Sequence, residues 1–243
     1  MPRSAEYDLT KLPDTERLFA DTKPDLAIHL AARVGGIGYN QSRPADLYLS
    51  NLLMGTYVIE TARAAGVDKT VILGTICSYP KFTEVPFREE ALWDGYPEET
   101  NAPYGIAKKA LLMMCQSYRQ QYGMNAIYLL PVNLYGPGDN FHPQESHVLP
   151  AMIRRFHEAK VSGADKVVVW GTGTPLREFM HVDDCADALE TNRLSTSQAI
   201  DGLRRWQRFL DRHLHAGATY DWQACVGVAR RARAGRRTRS RRA

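Results

Sequence analysis

Three short apolar runs, Asp25-Leu-Ala-Ile-His-Leu30, Thr70-Val-Ile-Leu-Gly74 and Ala126-Ile-Tyr-Leu-Leu130, alternate with segments of helical period, and this restricts the fold more than any other feature of the chain. Runs of this length without polar interruption read as strands covered on both faces, the situation of a parallel sheet. Parallel neighbours need long crossovers, and two are legible. Asn51 to Ala65 places Leu52, Thr56, Ile59 and Arg63 around a helix that Gly66 can cap. Pro103 suits a first helical turn, from which Tyr104 to Tyr122 runs to a Gly123 stop. The expectation is a doubly wound α/β sheet. A fourth apolar run, Lys166-Val-Val-Val-Trp170, follows a helix over Pro150–Ala159. It leads into the charged loop Arg177-Glu-Phe-Met-His-Val-Asp-Asp184, where a smaller second domain is expected to begin.

With 243 residues, 44% of them apolar, the chain can bury one large domain or one and a half. No apolar run reaches the roughly eighteen residues of a membrane span, and Pro2, Arg3, Glu6 and Asp8 occupy the place of a signal-peptide apolar region, so a cytoplasmic protein without membrane contact is expected. The four cysteines, Cys77, Cys115, Cys185 and Cys225, have neither zinc-site spacing nor disulfide-scaffold density; free thiols and no metal site are expected.

The net charge of +4 is an average over two unlike parts. Residues 1–189 carry 18 Lys and Arg against 23 acids, while residues 190–243 carry 13 Arg and no Lys against 4 acids. From about residue 224 the chain is an Arg/Ala/Gly string that cannot bury a core, and disorder is expected there. Such a change of composition is what a shifted reading frame or a fused foreign end gives; a genuine basic arm is the other reading. The string has no aromatic interleaving after Trp222 and no recognisable module, so no nucleic-acid partner is expected.

Tyr104-Gly-Ile-Ala-Lys108 puts a phenol and an ammonium on one helical face at i, i+4. An ammonium nearby lowers a phenol's pKa, which suits an acid that must protonate a carbonyl oxygen; a surface Tyr and Lys is the plainer reading. Thr75-Ile-Cys-Ser-Tyr-Pro80 leaves the carboxyl end of the second strand, where open α/β sheets bind ligands. There Thr75 could hold the oxygen that Tyr104 protonates, and Cys77 would face the same crevice or serve as a small buried hydrophobe. Leu130-Pro-Val-Asn-Leu-Tyr-Gly-Pro137 places Asn133 and a tight turn past the third strand, and His147 follows in a loop as a proton carrier or a helix cap. Val34-Gly-Gly-Ile-Gly38 follows a strand but lacks G-x-G-x-x-G spacing and is rejected as a dinucleotide fingerprint.

Together, His29-Leu-Ala-Ala32, the Thr75 strand end, YxxxK, Asn133-Leu-Tyr-Gly-Pro and Arg177-Glu-Phe-Met-His-Val-Asp-Asp resemble the extended short-chain dehydrogenase/reductase family, from about Asp8 to Asp187. Within it, Ala32-Arg-Val-Gly-Gly-Ile, Cys77, Asn140-Phe-His-Pro, Ser146-His-Val and Val169-Trp-Gly-Thr-Gly-Thr-Pro are similar to the GDP-L-fucose synthase branch. The resemblance implies a Rossmann-like sheet with a substrate domain, NADP(H) as cofactor, a GDP-4-keto-6-deoxy-mannose substrate and a homodimer formed through the Asn51–Ala65 and Tyr104–Tyr122 helices. It implies Thr75, Tyr104 and Lys108 as the reductase triad, with Cys77 as base and His147 as acid for epimerisation. Leu73, Gly74, Thr75, Ile76, Lys108, Pro131, Val132, Asn133, Leu134 and His147 would line the cofactor, and Arg155, Trp170 and Arg177 the GDP-sugar.

On this pattern residues 1–145 would be a Rossmann domain lacking its first strands and glycine-rich turn, 146–189 the start of the substrate domain, and 190–243 a tail foreign to the family. Thr75 stands where the family usually has Ser. Another NAD(P)-dependent sugar-nucleotide epimerase or dehydratase, or a non-catalytic fragment, are the alternatives.

Overall fold

The computed structural model describes residues 2–143, 145–169 and 177–193, with side chains described as far as Leu189. The Arg-rich tail, Cys225 and Trp170 lie outside the described residues.

The three apolar runs form one parallel sheet in the order β1 (Leu26–His29), β2 (Lys69–Leu73), β3 (Ala126–Leu129). His29 is registered against Ile72, and Leu73 against Leu129. Preceding β1 is α1 (Leu12–Thr22); after it come a short α2 (Ile37–Ser42) and the long crossover α3 (Pro44–Ala64). The second crossover is α4 (Ala102–Tyr122), which ends at Gly123 in the left-handed conformation expected of a C-terminal glycine.

The α3 helix starts at Pro44, seven residues before the helical period becomes legible. Proline in the first turn and Asp46 beside the helix N-terminus start it there. Its first turns are largely solvent-exposed, so they show no apolar stripe; Tyr48 and Leu49 point outward.

Helices cover both faces of the sheet, as a doubly wound arrangement requires. On one face Leu18 and Phe19 of α1, Val58, Ile59 and Ala62 of α3, and Leu111, Leu112 and Cys115 of α4 pack against Ile72, Ala126 and Tyr128. On the other, Val71, Ile127 and Leu129 meet Leu189 of the last helix. Each fully buried Leu or Ile contributes about 1.5–3 kcal/mol relative to exposure, so α3 and α4 fix the sheet from the first face.

Past β3 apolar runs and strands no longer coincide. Lys166-Val-Val-Val does not form a strand among the described residues; Val168 is 76% exposed, and β-propensity without a covering partner does not hold a ladder. The second sheet comes from segments read as a turn and a charged loop: β4 (Asn133–Tyr135) pairs in parallel with β5 (Phe179–His181), joined through α5 (Val148–Ser162) and followed by α6 (Val182–Arg193). Met180 is buried in this short ladder, an apolar position hidden among charges in the sequence. Among the described residues no helix is long and apolar enough to cross a membrane, and no group of His, Cys, Asp or Glu is arranged to hold a metal.

Candidate active site

The chain leaves β2 through Gly74 and turns at once into a single 3-10 turn, Ile76–Ser78. Thr75 caps that turn, its Oγ1 accepting the Cys77 N–H at 3.2 Å. The first turn of α4 lies directly against this segment: Ser78 Oγ donates to the Gly105 carbonyl at 2.8 Å, and a Cβ on Gly105 would stand 2.3 Å from the Cys77 carbonyl oxygen. Glycine inside YxxxK therefore has a steric cause, because any side chain there would push Tyr104 off the Thr75–Cys77 turn.

Tyr104 and Lys108 occupy the same flank of α4, with the Lys108 Nζ 6.0 Å from the centre of the Tyr104 ring. Lys108 is 2% exposed, and its ammonium donates to the Leu73 carbonyl at 3.0 Å, at the last residue of β2. Burial lowers its pKa to about 8. Tyr128 fixes the same part of α4 from below, its hydroxyl donating to the Lys108 carbonyl at 2.8 Å.

Protonation of the site differs from the sequence expectation. Burial holds the Tyr104 phenol well above its ordinary value, Cys77 adds to the effect, and the Thr75 hydroxyl opposes it; Lys108 does not bring it down. Burial likewise raises the Cys77 thiol, helped by Glu98 and opposed by the Thr75 hydroxyl and Arg177. Both groups rest protonated, because removing them from water costs more than the Thr75 hydroxyl and, at Cys77, the Arg177 charge return. The other two free cysteines among the described residues, Cys115 and Cys185, are buried elsewhere, in the core beside the sheet and in α6.

His29 belongs to this group, though the sequence marked it only as part of a motif. Its register partner is Ile72, so its side chain shares the face on which α4 packs. It is 4% exposed, and its Nε2 is buried without a hydrogen-bond partner. Burial, then the charge of Lys108, pushes its pKa down to about 3. A histidine at a strand end could have been flagged as lining the sheet mouth; its nearness to Lys108 is visible only in three dimensions.

Thr75, Cys77, Tyr104 and Lys108 are thus brought together, and the exposed Arg177 is close enough to act on the Cys77 thiol. Leu73, Gly74 and Ile76 leave β2, and Pro131, Val132, Asn133 and Leu134 leave β3, at the same carboxyl edge; the Gly74 N–H donates to the Leu129 carbonyl at 2.7 Å. Asn133, past the third strand as expected, opens β4, its Nδ2 donating to the Glu178 carbonyl at 2.9 Å.

His147 is exposed and is the N-cap of α5, in extended backbone. Two residues before it, the Glu145 carbonyl accepts the Gly36 N–H at 3.0 Å, which ties its loop to the segment leaving β1. The glycine pair rejected as a phosphate turn is therefore a docking point. Arg155, on α5, is half-buried against the Lys166–Val168 stretch, its Nη1 3.4 Å from the Val168 carbonyl.

The parallel sheet thus carries a Tyr/Lys pair and a hydroxyl together at its carboxyl edge. Residues 3–192 match the NAD dependent epimerase/dehydratase family, and the chain belongs to it.

Within that family the chain is 56% identical over 184 residues to GDP-L-fucose synthase 1 of Arabidopsis thaliana, covering 76% of this chain and 57% of that protein. It is 49% identical over 170 residues to the GDP-L-fucose synthase of Escherichia coli, covering 70% and 53%. Among solved structures, a GDP-L-fucose synthetase from Naegleria fowleri bound to NADP superposes with a TM-score of 0.72 at 32% identity, over 78% of this chain and 62% of that one. The chain thus spans little more than half the length of the curated relatives it matches.

Proposed function

We propose that this chain carries the proton-transfer and carbonyl-reducing centre of a GDP-L-fucose synthase, acting on GDP-4-keto-6-deoxy-D-mannose by inversion at C3 and C5 and reduction at C4. The observation that carries this reading is the convergence of Thr75, Cys77, Tyr104 and Lys108 on one 3-10 turn and one helical turn at the sheet mouth. A dehydratase has no need of a thiol two residues past the hydroxyl.

Each residue then has a task. The C4 ketone acidifies the C–H bonds on both sides of it. Cys77, once deprotonated, takes the proton from one face; the electron pair moves onto the C4 oxygen as an enolate, and His147 returns a proton to carbon on the other face, collapsing the enolate to the inverted ketone. In the reduction, Thr75 holds the C4 oxygen by hydrogen bond and Tyr104 delivers its phenolic proton there as the C=O pair becomes O–H. A raised phenol pKa keeps that proton in place until the oxygen turns basic.

The donor set fits NADP(H), which when bound supplies hydride to C4. Lys108 uses one of its ammonium hydrogens on Leu73, leaving others for ribose hydroxyls. Leu73–Ile76, Pro131–Leu134 and His147 would line the remainder of the cofactor, and Arg155, Arg177 and Trp170 the GDP-sugar, where guanidinium forks suit a diphosphate. On this reading residues 1–145 form the cofactor side and residues from 146 the start of the substrate side, in a cytoplasmic homodimer paired through the outer faces of α3 and α4, where Leu49 and Met113 are exposed.

The test is incubation of the full chain with GDP-4-keto-6-deoxy-D-mannose in deuterated water, with NADPH titrated separately by fluorescence. Deuterium at both C3 and C5, with saturable NADPH binding, is the expected result. Saturable binding without exchange at either carbon would assign the chain to another epimerase or dehydratase, and no binding would make it a non-catalytic fragment.

A further inference from the structure

The segment between β1 and α3 touches three different parts of the site. Asn51 on α3, 1% exposed, binds both polar atoms of the Arg33 backbone: its Oδ1 accepts the Arg33 N–H at 3.0 Å and its Nδ2 donates to the Arg33 carbonyl at 2.8 Å. Three residues on, the Gly36 N–H donates to Glu145, and a Cβ on Gly36 would stand 2.9 Å from the Ser146 backbone carbonyl oxygen. The backbone of Gly36 is in an ordinary extended conformation, so glycine is needed there only for this close approach. From the helix that Gly36 caps, Asn40 Nδ2 donates at 2.8 Å to Oδ1 of Asn101, the N-cap of α4, three residues before Tyr104.

We infer that Arg33–Asn40 is a bracket whose Gly36 and Asn40 are positioning residues: they set His147, through Glu145 and Ser146, at a fixed distance from the Tyr104 turn. None of these residues reaches the reacting atoms. Their effect is geometric, because His147 sits at the start of α5 while Cys77 and Tyr104 sit on the turn and helix at the sheet mouth, and the bracket is a hydrogen-bonded link between the two. A two-base inversion depends on that distance, since base and acid must stand on opposite faces of one sugar ring, and a displacement near 1 Å costs about a hundredfold. Abstraction by Cys77 alone does not depend on it.

This rests on the proposed roles of Cys77 and His147, and the experiment separates the two claims. In the full chain, Gly36→Ala forces backbone against backbone at Ser146, and Asn40→Ala removes the α4 link while leaving Gly36 in place. Backbone hydrogen exchange read by mass spectrometry should quicken at Glu145–Val148 in Gly36→Ala and stay unchanged in β2 and β3. With the ketosugar in deuterated water, both variants should still wash deuterium into the substrate, while inverted product falls by about two orders of magnitude in Gly36→Ala and less in Asn40→Ala. Equal loss of deuterium uptake and inversion, or unchanged inversion, overturns the inference, as does unchanged amide exchange at Glu145–Val148. Should the wild-type chain take up deuterium at neither carbon, the epimerase reading fails, and amide exchange alone decides whether the bracket holds the loop.

Discussion

Gly105 lies so close to Cys77 that a Cβ on the former would stand 2.3 Å from the carbonyl oxygen of the latter, a contact no real side chain makes. Gly105→Ala must therefore lift the first turn of α4 from the Ile76–Ser78 turn. The expected cost is about 1–3 kcal/mol in urea unfolding, as for other overpacked sites, with loss of the Ser78–Gly105 hydrogen bond. Gly38→Ala, where nothing lies within 4 Å, is the control and should be neutral or stabilising by about 0.5–1 kcal/mol.

His29 makes stability depend on acid. Its folded pKa, about 3, lies below the ordinary value of 6.5, so between these limits the unfolded chain binds the extra proton. Stability is thus complete above pH 6.5 and falls as pH drops toward 3, by up to about 1.4 kcal/mol per pH unit. Urea melts at pH 7, 6, 5 and 4 should show this slope, and His29→Asn should reduce it by one proton's worth. A variant with the wild-type slope would remove His29 as its source.

The Cys77 thiol, raised by burial and Glu98, should react slowly with iodoacetamide at neutral pH, and its rate should keep climbing above the ordinary thiol range. Glu98→Gln removes a charge that disfavours thiolate and should quicken alkylation; Arg177→Ala removes one that favours it and should slow alkylation. Each change should be about fivefold at most, because both partners are partly in water. Mass-spectrometric quantification of labelled Cys77 across pH checks the two signs independently.

Tyr104→Phe should leave α4 intact and take away the proton that the proposed reduction needs. The loss in reduction rate should be about 10²- to 10⁴-fold, with uptake of solvent deuterium beside the ketone retained. Lys108→Met should lose NADPH affinity as well, and it strands the Leu73 carbonyl that the ammonium now satisfies. Loss of deuterium uptake together with NADPH oxidation in Tyr104→Phe would contradict the division of labour between phenol and thiol.

The main sheet was legible because each of its strands is a continuous apolar run, buried on the α3/α4 face or against α6, and each crossover carries its own stop at Gly66 or Gly123. The residues gathered at its mouth were legible for a related reason. Thr75 and Cys77 immediately follow a strand, and Tyr104 and Lys108 share a helix face, so local spacing alone places them. What eluded the sequence is held by contacts between distant segments. Met180 is buried among charged neighbours by pairing with β4, and Val168, apolar in the string, finds no cover. The raised pKa of Tyr104 ran against the sequence expectation because desolvation depends on how closely α4 settles on the strand end. Proximity of a lysine in sequence says nothing about that.

The ladder of Asn133–Tyr135 with Phe179–His181 is only three residues deep on each side, and it shares no strand with the main sheet. Elements so short open at low free-energy cost, without global unfolding. Arg177 enters that ladder from its edge, two residues before Phe179. The cation that favours the Cys77 thiolate is therefore carried beside the shorter of the two ladders, and iodoacetamide reactivity of Cys77 should fall under mild warming or dilute denaturant before the central sheet loses its circular-dichroism signal.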